Sequence, residues 1–326
     1  MLFDNHNRPL TYLRLAVTDR CNLRCFYCMP ENGIKYLPKN EVLTYEEMTR
    51  TVAVLAQLGI SKLRLTGGEP FVRAGLMPFM QQLVNIPGLS ELHLTTNGVL
   101  TAPHVADMAR LGIRSVNLSL DTLSRERFRQ ITRRDELPAV LGTLQALLDH
   151  GIRVKINAVV MDGQNTDDLF ALAELARQQP VEVRFIEEMP FNGEGTHYPT
   201  LTWTHQRILA ELQIYYPDLQ VRKTEPHATA TRYQVPGHVG TLGIIAAYTR
   251  TFCGSCNRIR LTAQGTLKTC LYDNGVLDVR ALLRSHTTDA DLTAAFLTAF
   301  AHRPLNGFEA EASRQPVTES MATIGG

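Results

Sequence analysis

Leu58-Gly59-Ile60-Ser61-Lys62-Leu63-Arg64-Leu65-Thr66-Gly67-Gly68-Glu69-Pro70 holds a helix end, a strand and a glycine turn in immediate succession. Gly59 suits the left-handed residue that closes a helix. Residues 62–66 alternate as a strand should, and Gly67-Gly68 ends it. Upstream, Thr44 and Glu47 form a capping box, and Met48, Val52, Leu55 and Ala56 mark the apolar face of the helix it opens. The same punctuation recurs at Gly112-Ile113 and Gly151-Ile152, each before a strand pattern, at 115–120 and 154–160. Strand patterns at 12–17, 91–96 and 181–186 complete the series. Helices are expected at 76–84, 103–111, in one long stretch ending near 150, and from 165 or 166 to 177. Strands alternating with helices predict a parallel sheet.

Six strands fall within about the first 190 residues, less chain than a closed eightfold barrel usually takes. The expected fold class is α/β: a partial, open-sided (βα)6 TIM-type barrel over residues 1–200. An α+β extension follows over 201–326, with a helix at 204–212, a β segment at 239–246 and short helices at 279–283 and 291–300. In such barrels functional groups collect at the C-terminal ends of the strands. By composition alone the polar stretch 309–326 reads as a mobile tail.

The chain has 326 residues, 44% of them hydrophobic, enough for a substantial core. A net charge of +1 gives no overall pull toward nucleic acid or membrane. The N-terminus shows neither secretion signal nor membrane span, so a cytoplasmic protein is expected.

The six cysteines form two triplets: Cys21, Cys25 and Cys28 as C-x3-C-x2-C, and Cys253, Cys256 and Cys270 as C-x2-C-x13-C. Three thiolates on one tight loop can hold three irons of a [4Fe–4S] cubane and leave the fourth open to a small molecule. For the second triplet a zinc site completed by His238 or His286 is the alternative. Gly67-Gly68 fits a tight turn or a close approach to a ligand. Ser119 and Asp121 fit a turn or a binding contact, and Met189 a core position. Arg14, Arg64 and Lys155 lie in strands, and Arg258 and Arg260 share one strand face. Such cations would suit a triphosphate if they converge.

The cysteine loop, with an aromatic before its last cysteine, resembles that of radical S-adenosylmethionine (SAM) enzymes. More narrowly, 17–25, 65–70, 117–122 and 252–261 resemble the GTP 3′,8-cyclase family of molybdenum cofactor biosynthesis, and the terminal Gly-Gly fits that family. The resemblance implies two [4Fe–4S] clusters, the first on Cys21, Cys25 and Cys28, the second on Cys253, Cys256 and Cys270. It implies SAM contacts at Tyr27, Gly68, Ser119 and Met189. GTP contacts follow at Arg14, Arg64, Thr95, Lys155, Arg258, Ile259 and Arg260, with the Gly325-Gly326 tail reaching the site. The implied reaction turns GTP into 3′,8-cyclo-7,8-dihydro-GTP through a 5′-deoxyadenosyl radical that removes a hydrogen from C3′. The implied partners are an electron donor, a downstream cyclic pyranopterin monophosphate synthase and a second copy in a homodimer. Leu23, where relatives often carry Phe, is a mild departure. A two-cluster peptide-modifying maturase is the rival reading; such enzymes tend to carry more C-terminal cysteines than three.

Overall fold

The computed structural model describes residues 2–191, 200–223, 225–313 and 319–325. Six strands form the barrel wall: β1 (Tyr12–Ala16), β2 (Lys62–Thr66), β3 (Glu91–Thr96), β4 (Ser115–Ser119), β5 (Arg153–Val160) and β6 (Val181–Glu187). The helices between them are α1 (Tyr45–Gln57), α2 (Leu76–Leu83), α3 (Val105–Arg110), α4 (Arg125–Thr132), α5 (Leu137–Asp149) and α6 (Leu169–Gln178). After α7 (His205–Tyr215) come β7 (Gln220–Arg222), β8 (Ala230–Gln234), β9 (Thr241–Ile245), β10 (Arg258–Leu261), β11 (Thr266–Lys268) and β12 (Leu277–Asp278). Helices α8 (Val279–Arg284), α9 (Asp289–Phe300), α10 (Gly307–Ala312) and α11 (Met321–Ile324) close the chain.

β1 to β6 lie side by side in chain order and all run parallel. The later strands extend the same sheet at both edges: β10 pairs parallel with β1, and β9 parallel with β6. The order runs β12-β11-β10-β1-β2-β3-β4-β5-β6-β9-β8-β7, so the sheet is open and the six-strand barrel is unclosed. The helices pack their apolar stripes on its outside. Leu55 of α1, Phe79 of α2 and Leu172 of α6 are buried there with Leu13, Leu65 and Val183 from the strands. Burial stabilises by about 1.5–3 kcal/mol for each such side chain. The Thr44 box forms as expected: Thr44 accepts from the Glu47 amide at 3.2 Å, and the Glu47 carboxylate accepts from the Thr44 amide at 2.7 Å.

Two expectations need correction. The long helix before residue 150 is two helices, because Arg133 turns left-handed (φ 55°) and ends α4. The break exposes the last carbonyls of α4, which need partners, and the first cysteine loop supplies them. The Arg24 and Phe26 amides donate to the Thr132 and Ile131 carbonyls at 2.9 and 3.1 Å. The stretch read as a mobile tail takes in the last four residues of α10 and all of α11, with Ala310, Ala322 and Ile324 buried. Its polar composition hides a few small apolar side chains that dock on the barrel. Among the described residues no helix is long and apolar enough to cross a membrane.

Candidate active site

All six cysteines line one cavity of about 530 Å³ on the inner face of the sheet. Their distribution follows from strand direction. Cys21, Cys25 and Cys28 follow β1 and sit at the C-terminal ends of the strands. Cys253 and Cys256 precede β10, which is parallel to β1, so they lie at the opposite end. Cys270 follows β11, which is antiparallel to β10 and returns the chain to that end. The expectation that functional groups gather at the C-terminal ends therefore covers half of the site.

The first cysteine loop lies backbone to backbone on the turn after β2. The Gly68 and Glu69 amides donate to the Thr18 and Arg20 carbonyls at 2.9 and 2.8 Å. A Cβ on Gly67 would stand 2.3 Å from the Thr18 oxygen, and one on Gly68 2.3 Å from the Arg20 oxygen. The glycine pair is thus what lets the cysteine loop approach, and both glycines still border the cavity. Glu69 is fully buried and turned away from the cavity. Its carboxylate accepts from Thr96 Oγ1 at 2.9 Å and from the Phe71 and Asn97 amides at 3.2 and 2.7 Å, tying β2 to β3; burial pushes it up to about 7.

The three thiols are free, and burial pushes Cys21 up to about 12, Cys25 well above the ordinary value and Cys28 upward. Cys21 feels the charge of Cys28, and Cys25 that of both others. Asn97 Nδ2 points at Cys21 Sγ (3.6 Å) and donates to Asn22 Oδ1 (2.8 Å). Tyr27 Oη donates to the buried Asp121 carboxylate at 2.9 Å, which also accepts from the Val159 amide; burial raises Asp121 to about 6. From the chain terminus, Ser320 Oγ donates to the Cys28 carbonyl at 2.6 Å and lies 3.9 Å from its Sγ.

This donor set fits a [4Fe–4S] cluster: three half-buried soft ligands on one loop, their backbone anchored on both sides, one of them already meeting an amide N–H. Among the described residues no three His, Cys, Asp or Glu side chains converge as one coordinated ion requires. A multi-iron cluster places a separate iron behind each thiolate, so its ligands stand further apart than those of a single ion. His238 and His286, the candidates to complete a zinc site, are not in the cavity wall. His238 packs edge-on against Tyr216 behind β9, and His286 sits in the turn after α8.

Between the two cysteine ends the wall is cationic. Register places Arg260, Arg14 and Arg64 side by side on β10, β1 and β2, and Arg258, Tyr12 and Lys62 one step below. Like charges directly opposite on adjacent strands are destabilising unless something offsets them. Little in the protein does. Tyr12 Oη accepts from Arg64 Nε at 2.5 Å, and Arg260 Nη1 donates to the Gly325 carbonyl at 2.7 Å. Among the described residues Arg14 Nε and Arg258 Nη2 are buried with no partner, as are Thr95 Oγ1, Asn117 Oδ1 and Asn157 Oδ1. Burial and the neighbouring Arg260 hold Arg14 well below its ordinary value. Lys155 is lowered to about 8, first by burial and then by Arg184. Burial opposes ionisation of Tyr12, yet Arg64 and Arg14 outweigh it and bring the phenol down to about 8.

Of the residues expected to contact SAM, Tyr27, Gly68, Ser119 and Met189 all border the cavity. So do Arg14, Arg64, Thr95, Lys155, Arg258 and Arg260 from the expected GTP set. Ile259 does not. It alternates to the other face of β10 and is fully buried, packing in the main hydrophobic core, so only its backbone can face a ligand. Gly325 reaches the site through Arg260, and Gly326 lies outside the described residues. Sequence reasoning missed Tyr12, Asn97 and Ser320. Asn97 had a signal, since Thr-Thr-Asn-Gly ends a barrel strand; Ser320 had none, because its contact with Cys28 spans nearly the whole chain.

Comparison with known proteins fits this geometry. The Radical SAM superfamily matches residues 15–176, which contain the first triplet, and Molybdenum Cofactor Synthesis C matches 181–308, which contain the second. The GTP 3′,8-cyclase of Moorella thermoacetica is 38% identical over 99% of both chains. The chain belongs to the GTP 3′,8-cyclase family. GTP 3′,8-cyclase 2 of Pseudomonas aeruginosa is 39% identical over 100% of this chain and 98% of its own. Molybdenum cofactor biosynthesis protein 1 of Drosophila melanogaster is 38% identical over 93% of this chain, which spans about half (53%) of that longer relative. Among solved structures, Streptococcus suis SuiB superposes with a TM-score of 0.65 at 12% identity, over 95% of this chain and 70% of its own, a likeness of fold alone. That resemblance places this member of the GTP 3′,8-cyclase family on the same open α/β scaffold, despite its different sequence.

Proposed function

We propose that this chain is a radical SAM enzyme that converts GTP to 3′,8-cyclo-7,8-dihydro-GTP, the first step of molybdenum cofactor biosynthesis. The observation that carries it is the row Arg260, Arg14, Arg64 with Arg258 one step below, in which Arg14 Nε and Arg258 Nη2 are buried without a partner among the described residues, lying in one cavity between two cysteine triplets. A cationic row of this kind suits a triphosphate, whose oxygens accept from Arg14, Arg258 and Lys155.

Cys21, Cys25 and Cys28 would hold one [4Fe–4S] cluster, with SAM between it and Tyr27, Gly68, Ser119 and Met189. Cys253, Cys256 and Cys270 would hold a second cluster facing the purine. When bound, the first cluster and SAM supply one-electron chemistry that removes a hydrogen atom from carbon. The protein's part is placement. Joining C3′ to C8 needs ribose and base held in one arrangement, and anchors at both ends of the nucleotide restrict it to that arrangement. The phosphates dock on the cation row, the base lies at the second triplet, and C3′ is left facing the SAM end. Tyr27 fixed on Asp121 and the Ser320 segment fixed on Cys28 hold water and stray hydrogen donors away from that end.

Residues 1–200 carry the SAM half of this work and 201–326 the second triplet, although one sheet runs through both. The reading brings with it a cytoplasmic location, a separate electron donor, a homodimer and a downstream cyclic pyranopterin monophosphate synthase that takes the product.

The decisive experiment is an anaerobic assay of reconstituted protein with SAM and GTP, with the nucleotide product identified by mass spectrometry. The cyclised product, with 5′-deoxyadenosine formed only when GTP is present, is expected. SAM cleavage indifferent to GTP would overturn the reading in favour of a peptide-modifying maturase.

A further inference from the structure

Arg303, in the turn after α9, is the most fully committed cation in the molecule's described part. Its side chain is 3% exposed, and every one of its donors has a target. Nε donates to the Thr269 carbonyl at 2.9 Å, the residue before Cys270. Nη1 donates to the Cys256 carbonyl at 3.1 Å and to Asp4 Oδ2 at 2.9 Å. Nη2 donates to the Arg258 carbonyl at 2.9 Å and points at Cys256 Sγ, 3.6 Å away. Asp4, wholly buried, also binds Arg8 Nε at 2.7 Å, and Arg8 Nη1 reaches the Cys253 carbonyl at 3.3 Å.

These contacts join three stretches far apart in sequence: the N-terminus, the 253–258 segment and the 269–270 turn. No backbone ladder connects Cys270 directly to Cys256; the guanidinium spans that gap. Two guanidiniums share one carboxylate, so the group carries a net positive charge, and it meets a sulfur only at Cys256.

We infer that Arg303 is the positioning residue of the second cysteine triplet: it fixes the spacing of Cys256 and Cys270 and directs its charge onto the Cys256 sulfur. The inference rests on the second triplet being an iron–sulfur site, and the test separates the two. A donor and a positive charge beside a ligand sulfur favour the reduced state, in which the cluster carries one more negative charge.

The parent protein is the full chain with Cys21, Cys25 and Cys28 all changed to Ala, reconstituted anaerobically, so that any cluster left is the second. About four irons per chain are expected in this parent; near none would overturn the iron–sulfur reading, and the inference with it, before Arg303 is touched. Arg303→Gln, at unchanged iron content, should lower the reduction potential measured by electron paramagnetic resonance potentiometry. Arg303→Lys should restore most of it. Asp4→Asn, which removes the carboxylate and leaves Arg303 in place, should move the potential upward. If Arg303→Gln sheds its iron and Lys restores the binding, the positioning role stands; if Lys does not, the Asp4→Asn shift decides. Iron-loaded Arg303→Gln and Asp4→Asn proteins that both keep the parent's potential would overturn the inference.

Discussion

Ser320 closes on Cys28: its hydroxyl donates to the Cys28 carbonyl at 2.6 Å and lies 3.9 Å from the thiol. The same hydroxyl accepts from the Ala322 amide at 3.1 Å and so caps α11. One side chain therefore couples the chain terminus to the first cysteine loop. Ser320→Ala removes both bonds, and losing such a cap costs about 0.5–2 kcal/mol. Amide exchange in residues 320–325 should quicken by roughly 2- to 30-fold, and turnover should fall with it. Unchanged exchange would show that the terminus is held by Ile324 and Ala322 packing alone.

Arg258 and Arg260 share a strand face but not their engagements. Arg260 commits one donor to Gly325, whereas Arg258 Nη2 is buried with no partner among the described residues. Arg258→Ala should weaken GTP binding by about 1.5–3 kcal/mol, roughly 10- to 160-fold, the worth of a hydrogen bond to a charged group. SAM binding should stay within about twofold, because Arg258 lies at the far end of the strands from the first cysteine loop. Calorimetry with each ligand separately checks this; equal losses for both would assign Arg258 a structural role.

The amount of this that could be read from sequence divides along a physical line. Local signals survived folding: the Thr44 box, the glycines after α1, α3 and α5 and the period-two strands all lie where their short-range chemistry places them. The partial barrel followed from their order. Cysteine spacing grouped the thiols as strand direction does, one triplet at each end of the cavity, because each triplet is nearly local. Contacts set by register were invisible. Nothing near Arg14 announces that Arg64 and Arg260 stand beside it, and nothing near Arg303 announces Cys256. Composition misread 309–326 because small residues such as Ala322 and Gly325 bury well while looking polar in aggregate. Periodicity ran α4 and α5 together because Arg133, which separates them, is an ordinary helix former; what marks its left-handed turn is distant in sequence, its guanidinium donating to the Arg24 and Met29 carbonyls of the cysteine loop.

Lys155 gives the site a pH signature. Burial, then Arg184, lowers it to about 8, so the free protein loses this charge as pH rises through that value. A bound triphosphate stabilises the protonated form and raises the pKa, so binding takes up a proton above pH 8 and weakens as pH climbs, by at most about tenfold per unit. Phosphate is already ionised there and adds no slope. Tyr12, also near 8, acts in the same direction, because its anion would repel phosphate. The affinity of GTP measured from pH 7 to 9.5 should therefore fall. Tyr12→Phe should keep the Lys155 part of the slope, and Lys155→Met in that background should flatten the profile. A slope that survives both substitutions would place the titrating group elsewhere.

Gly68 tests whether the cysteine loop depends on backbone contact. A Cβ there would stand 2.3 Å from the Arg20 oxygen and 2.6 Å from its carbonyl carbon, both backbone atoms with no rotamer to change. Gly68→Ala must therefore push the loop off the β2 turn, breaking the Gly68–Thr18 and Glu69–Arg20 bonds. Two such bonds are worth about 1 kcal/mol each, and the strain of overpacking adds about 1–3 kcal/mol. The displaced loop carries Cys21, so iron after reconstitution should drop from about eight per chain toward about four, with the second triplet still loaded. Gly142→Ala is the contrast: it lies inside α5 with nothing within 4 Å of the new methyl group. It should keep the full iron content and gain about 0.5–1 kcal/mol, because alanine suits a helix interior better than glycine. Iron content and thermal midpoint for the two variants check the argument together. A Gly68→Ala protein with its full iron would mean that the loop can yield by a few ångströms without losing the first triplet's geometry, and that the glycine pair serves ligand approach instead of loop docking.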